Sequence, residues 1–368
     1  MIRVGIIGCG KIADAHAEQI QRITGCEIVG VCDREELMAK QFHDRFHVDK
    51  YYSDVNQLLG DSKPNVVHIT TPPQGHFELA KKCLEAGCHV YVEKPFTVNT
   101  LEAEELIRIA IKKGQKITAG HDDQFTHATR RMRGLIDQGY LGGTPVHMES
   151  YYCYDLGDQH YAKALLGDKK HWVRTLPGTL MHNNISHGIS RITEFMKDDD
   201  PVVIAHGFVS PFMRNLGEND IIDELRVIIS SECGMTAYFT FSTQMRPTLR
   251  LFRIYGPKNG LMVDHHQQTL IKMKGRLHKS YLEKFIAPYN YAVQYAANSM
   301  NNMLSFLRND FHMKAGMKYL IESFYRSVED GLPPPISYRE IILTSKIMDS
   351  IFFQINRQNT GGKYIHNF

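Results

Sequence analysis

Gly8-Cys9-Gly10-Lys11-Ile12-Ala13 is the first stretch of the chain whose residue types and spacing suit a defined chemistry, a G-x-G-x-x-A pattern. In such a turn the first glycine allows a tight exit from a strand. The second lets backbone approach a pyrophosphate, and a small third residue lets the following helix pack close to the sheet. The start of that helix offers N–H groups and partial positive charge to phosphates. An acid follows at the expected distance, Asp33, placed to accept hydrogen bonds from ribose hydroxyls and to repel a 2′-phosphate. These residues predict a dinucleotide site at Gly8, Gly10, Lys11, Ile12 and Asp33 and favour NAD. NADP is the alternative, because Arg34 next to Asp33 could hold the extra phosphate.

The chain carries 19 histidines, which raises the question of a metal centre. His43 and His47 stand four apart on a helical stretch, but no third ligand is spaced beside them, and catalytic zinc needs three protein ligands. His265 and His266 follow a strand, where neighbours point to opposite faces. No metal is expected. His76, just past Pro72-Pro73, reads equally as cofactor-site architecture or as a helix cap. The pair Lys169-Lys170 reads as solvated, with contact to a substrate phosphate as the other reading. Seven cysteines without a C-x-x-C read as reduced, mostly buried thiols. The 43 Lys+Arg nearly balance 40 Asp+Glu, which argues against an electrostatic nucleic-acid binder. No apolar run reaches the length of a membrane span or signal core, so no membrane partner and a cytoplasmic location are expected.

The elements that must position this chemistry alternate through the first third of the chain. Strand patterns at 2–7, 27–32, 65–70, 89–92 and 116–119 are separated by helical patterns at 11–22, 34–46, 77–86 and 101–112. Ser53 is expected to cap a helical turn at 54–59. Strands joined by helices imply a parallel, doubly wound α/β sheet. After a helix at 128–138 the rhythm changes. Strand patterns at 146–152, 202–209, 221–230, 235–242 and 249–255 lack intervening helices beyond a long loop holding Gly157 and Gly167, which implies an antiparallel sheet. The last stretch reads as helical, broken by Pro333-Pro334-Pro335. The length of 368 residues fits two domains, expected as 1–121 for dinucleotide binding and 122–368 for substrate binding and oligomerisation.

Further segments carry a resemblance. Thr70-Thr71-Pro72-Pro73-Gln74-Gly75-His76 closes one strand and Glu93-Lys94-Pro95 the next. Trp172-Val173-Arg174 precedes Asn183-Asn184-Ile185-Ser186-His187. With the glycine pattern these resemble the Gfo/Idh/MocA oxidoreductase family, most strongly over residues 1–125. The resemblance implies an N-terminal Rossmann domain followed by an α+β domain with a large open, mostly antiparallel sheet. It implies a dehydrogenase acting on a CH–OH group, moving a hydride between NAD(P) and a sugar, cyclitol or nucleotide sugar. Relatives that are glycosidases using transient oxidation and elimination, and relatives that are non-catalytic NAD/sugar-binding regulators, are the alternatives it leaves.

The resemblance also implies site residues. Lys94 is carried over as a catalytic lysine near nicotinamide and substrate. Asn183 and His187 fall on the family's D-x-x-x-H, with asparagine where the aspartate usually stands. Asparagine can orient His187 by hydrogen bonding but supplies no charge, which raises the weight of Lys94. Alcohol oxidation needs a base within hydrogen-bond reach of the hydroxyl. His187 titrates near neutrality, and Lys94 beside a cationic ring is expected to have a lowered pKa. Thr70, Thr71, Pro72, His76, Glu93, Gln124, Trp172 and Arg174 are expected to complete the cofactor site, and no role is assigned to Asp122 and Asp123. Segments 154–172, 246–253 and 289–295 are expected to supply substrate-specific loops. A homodimer or homotetramer is expected across the open sheet face, to which 225–241 contributes.

Overall fold

The computed structural model describes residues 1–156, 168–275, 280–311 and 314–359. Gly157 and Gly167 lie outside the described residues, as does part of segment 154–172.

The chain begins with strand β1 (Ile2–Ile7), helix α1 (Lys11–Ile20), β2 (Cys26–Cys32), α2 (Glu36–Phe46) and the short β3 (Tyr51–Tyr52). Then come β4 (Val66–Ile69), α3 (His76–Glu85), β5 (His89–Val92), α4 (Thr100–Lys113) and β6 (Ile117–Ala119). The six strands form one parallel sheet in the order β3-β2-β1-β4-β5-β6. All four residues of β4 are buried, as expected where helices cover both faces. The order reverses between β1 and β4, where the strand ends open a crevice for a ligand. Local signals fix the helix ends. Asn99 accepts from the Glu102 N–H at the start of α4, and Gly114 ends it in the left-handed conformation. The turn after β3 corrects one expectation: Asp54, not Ser53, caps it, its carboxylate accepting the N–H of Asn56.

The chain continues with α5 (His127–Asp137), β7 (His147–Cys153), α6 (Thr179–Asn184), α7 (Ser186–Thr193), β8 (Val202–Phe208), β9 (Glu224–Ser230) and β10 (Thr236–Ser242). After these come β11 (Arg250–Tyr255), β12 (Asn259–Asp264), β13 (Thr269–Lys274) and the long helix α8 (Ser280–Leu307). The seven strands lie in the order β13-β12-β11-β7-β10-β9-β8, with β7 and β10 parallel and every other pair antiparallel. The strands β12 and β13 extend this sheet beyond the five expected: glycine in the Gly256–Gly260 turn closes a hairpin rather than ending the sheet. Burial alternates along β8, β9 and β10, so one face is covered and the other is open. The inner face takes α7 at close range. Ser150 Oγ donates to the Gly188 carbonyl at 2.9 Å, and a Cβ on Gly188 would collide with the Phe239 ring.

Two helices finish the described chain, α9 (Ala315–Asp330) and α10 (Tyr338–Asn359). They alter the expected division. One compact unit comprises Met1–Asp122 together with Gly316–Lys346; the other comprises Asp123–Ala315 and Ile347–Phe368. Residues 122–368 are therefore not one block. The return of α9 to the first unit has a packing cause: Tyr325 donates toward His68 on β4 at 2.9 Å, and Phe324 meets the Tyr91 ring of β5.

Candidate active site

The glycine turn behaves as its sequence requires. Gly8 has φ +96°, and a Cβ there would stand 2.8 Å from Thr71 backbone and side chain. A Cβ on Gly10 would meet nothing within 4 Å, so the space above it is open. Asp33, at the end of β2, accepts the Cys9 N–H at 2.7 Å and the Glu35 N–H at 2.9 Å. A carboxylate has about four acceptor sites, which leaves capacity for ribose hydroxyls. Thr70 Oγ1 donates to the carbonyl of Gly8 at 2.6 Å, tying the end of β4 to the same turn. The N-terminus of α1 has no side-chain cap. Its backbone N–H groups are therefore available to a pyrophosphate, and the residues present fit a dinucleotide. Lys11 is exposed, Ile12 half-buried, and Arg34 lies in solvent.

Two strand-end loops are clamped by His76, fully buried at the start of α3. Its Nε2 faces the Thr71 carbonyl at 2.9 Å and its Nδ1 the Pro95 carbonyl at 2.9 Å. Gly75, not His76, occupies the cap position of α3. Burial pushes the His76 pKa down, while the carbonyls oppose that shift. The peptide bond between Lys94 and Pro95 is cis. Pro72 precedes the turn Pro73–Gly75 that opens α3.

Behind Lys94 runs a buried polar chain. Glu93 Oε1 accepts from His16 Nε2 at 2.9 Å; His16 Nδ1 meets His68 Nδ1 at 2.7 Å; His68 Nε2 meets the Tyr325 hydroxyl at 2.9 Å. Glu93 Oε2 accepts the Lys94 N–H at 3.1 Å. Burial pushes the Glu93 pKa up, but the His16 hydrogen bond and the Lys94 charge outweigh it and bring it down to about 2. Burial and the neighbouring His16 hold His68 well below the ordinary histidine value. With Glu93 ionised, His16 carries its proton on Nε2, His68 on Nδ1, and Tyr325 donates. Sequence reasoning missed His16 and His68; the only signal was two histidines in segments otherwise built for burial.

In the second unit His187 sits on α7, buried, its ring stacked on Tyr152 at 5.5 Å and 14°. Two guanidinium groups also address that ring, Arg250 at 4.6 Å and Arg191 at 5.6 Å. The carboxylate beside His187 comes from Asp123: Oδ2 is 3.9 Å from Nδ1 and accepts from Arg191 Nη2. At that distance the His187 contact is electrostatic rather than a hydrogen bond. It favours a proton on Nδ1 and leaves Nε2 as the acceptor. Burial raises the Asp123 pKa, but Arg191 and His187 hold it well below the usual carboxylate range. His265, buried while His266 is exposed, joins the cluster, and burial together with Arg191 pushes its pKa well down. Asp123, the acid to which no role was assigned, thus supplies the charge that Asn183 lacks. Asn183 is half-buried on α6.

Other expected cofactor residues are committed within the second unit. Gln124 is buried and donates to the Ser190 carbonyl at 3.2 Å and to Glu194 at 3.1 Å. Arg174 forms a two-pronged pair with Glu218 at 2.8 and 3.0 Å, on the short turn Trp172–Thr175. Segment 289–295 is not a loop but the middle of α8.

Residues 2–121 match the model of the Gfo/Idh/MocA family, described as an oxidoreductase family with an NAD-binding Rossmann fold. The chain is 24% identical over 357 residues to the uncharacterized oxidoreductase YrbE of Bacillus subtilis, covering 93% of this chain and 98% of that protein. It is 32% identical over 142 residues to D-glucoside 3-dehydrogenase of Escherichia coli, an alignment spanning 38% of this chain and only 40% of that enzyme. Its fold matches the WlbA dehydrogenase of Bordetella pertussis, solved with NADH and UDP-GlcNAcA, with TM-score 0.74 at 16% identity over 97% and 96% of the two chains. Residues 2–121, which build the N-terminal sheet, thus match that family's NAD-binding Rossmann domain.

Proposed function

We propose that this protein is an NAD-dependent dehydrogenase acting on a CH–OH group of a sugar, cyclitol or nucleotide sugar. The observation that carries this reading is the uncapped N-terminus of α1 beside an open Gly10, with Asp33 fastened to the same turn. A bound nicotinamide would supply the hydride acceptor. Everything else falls to the chain. Gly8, Gly10 and the start of α1 hold the pyrophosphate, and Asp33 takes the ribose hydroxyls. Lys94 and His187 are the candidate acid–base groups, one in each unit, for the hydroxyl proton that oxidation must remove. For His187 the accepting atom is Nε2, because Asp123 favours the proton on Nδ1.

The test is isothermal calorimetry with NAD+ and NADP+ followed by turnover on a panel of sugars, cyclitols and nucleotide sugars. The reading expects NAD+ to bind at least tenfold more tightly than NADP+ and NADH to accumulate with one class of substrate. Failure of either nucleotide to bind would overturn it. Released sugar without NADH accumulation would point to elimination chemistry instead. The same reading includes a homodimer or homotetramer across the open sheet face, where Val202, Ile204, Ile228 and Tyr238 are exposed side by side on β8 to β10. A monomer at micromolar concentration in sedimentation would remove that part.

A further inference from the structure

Helix α8 is amphipathic in the inverted sense. Its polar side faces the protein. Gln294 pairs with both backbone groups of Lys272, at 2.7 and 3.2 Å. Asn298 does the same with Leu270, at 3.1 and 2.9 Å, and Asn302 donates to the Gln267 carbonyl at 2.9 Å. The strand so covered, β13, is the edge of its sheet. A four-residue step along a helix is about 6 Å, close to the roughly 6.7 Å of two strand residues, so amides at every fourth position can follow an edge. The amides satisfy backbone groups that an edge otherwise leaves open.

The opposite side faces solvent and is apolar. Leu282, Ile286, Tyr289, Val293, Ala296, Met300, Met303 and Leu307 repeat at alternating spacings of four and three, the spacing of a two-helix seam. Tyr289 is 69% exposed, Leu307 72%, and Phe285 on the flank 74%. Between Phe285 and Leu307 there is no Asp, Glu, Lys or Arg. A groove of about 430 Å³ lies alongside, between Ile286, Val293 and Leu270.

We propose that α8 docks on α8 of a second copy of this chain, antiparallel, about a two-fold axis passing between Gln294 and Tyr295. The seam maps onto itself under that operation. Leu282 meets Leu307 of the partner subunit, Ile286 meets the partner's Met303, Tyr289 the partner's Met300, and Val293 the partner's Ala296. The small Ala296 at the centre lets the helices approach, and the larger residues fill the ends. A two-fold contact uses the same patch twice, which suits a surface without charge, since no like charges are brought together. The helix is about 42 Å long. Six of the seam residues, together with Phe285 and Leu304 beside them, are large, apolar and exposed. At somewhat under 100 Å² apiece they supply on the order of the 800 Å² per partner that a standard interface buries. A membrane surface fits less well, because helices that lie on lipid carry Lys and Arg on their polar side, and here that side is spent on β13.

The test uses the full chain. Val293→Glu and Met300→Glu, made separately, should each raise the dissociation constant of the assembly at least tenfold in sedimentation, with circular dichroism and NAD+ binding unchanged. The pair Val293→Cys and Ala296→Cys, in a Cys233→Ser background, should give a disulfide-linked dimer on mild oxidation. That crosslink should survive Ile228→Arg on the open sheet face, which separates this contact from the other. Unchanged mass in both glutamate variants, a monomeric parent, or absence of the crosslink would overturn the proposal. So would binding of α8 to neutral phosphatidylcholine vesicles that is lost in the glutamate variants while the mass stays constant.

Discussion

The surroundings of Lys94 and those of His187 are built on opposite principles. Around Lys94 the polar groups form a line: Glu93, His16, His68 and Tyr325 each satisfy the next. Around His187 they form a knot, with Arg191 and Arg250 gathered on one tyrosine ring and Asp123 paired with Arg191, two full positive charges near one negative. A line fixes orientation and tautomer. A knot fixes field, and its balance depends on every member. The first arrangement therefore suits a group that must be held still, the second a group whose proton affinity must be set.

Four single substitutions and one compensating change test that contrast, in falling order of effect. Lys94→Ala should lower turnover on an identified substrate by about 10³-fold within the range for general acid–base groups, while calorimetric NAD+ affinity changes by less than threefold. Asp123→Asn should destabilise the protein by about 3–5 kcal/mol in urea titration, because it leaves Arg191 buried without its counter-charge. Adding Arg191→Met should recover most of that loss, and failure to recover it would show that the pair does not act as a unit. Glu93→Gln probes the line. The Glu93 carboxyl titrates near 2 when folded against about 4.5 unfolded, so its contribution of about 3 kcal/mol is present above the unfolded value and disappears as pH falls toward 2. The variant should show a flatter acid limb in stability measured from pH 6 down to 2. Asp33→Asn should weaken NAD+ binding about tenfold, or ~1.4 kcal/mol, and narrow the preference against NADP+.

The same contrast explains what could be read from the residues alone. Gly8, Gly10, Asp33, Thr70 and Glu93 lie at strand ends whose order is dictated by alternating helices, so local pattern places them. The parallel sheet follows from runs such as Val66–Ile69 that are buried on both faces. The knot is different. Asp123 lies 64 positions from His187 in the chain, and no period connects them. Asn183 carries no charge, and the carboxylate near His187 is that of Asp123. The membership of α9 in the first unit rests on Tyr325 reaching His68, again a contact between distant segments. Segment 289–295 is expected among the substrate loops, yet it lies in α8, whose amides Gln294 and Asn298, four positions apart, fit the helix to β13.

The amide ladder between α8 and β13 has a built-in length limit. Each four-residue step of the helix falls short of two strand residues by roughly 0.7 Å, so the two scales drift like those of a vernier. After three steps the mismatch is about 2 Å, enough to break a hydrogen bond. Gln294 and Asn298 make paired contacts, Asn302 a single one, and the coincidence ends there. Such a cover seals a sheet edge without becoming an edge itself, so growth of the sheet by further strands stops at this helix.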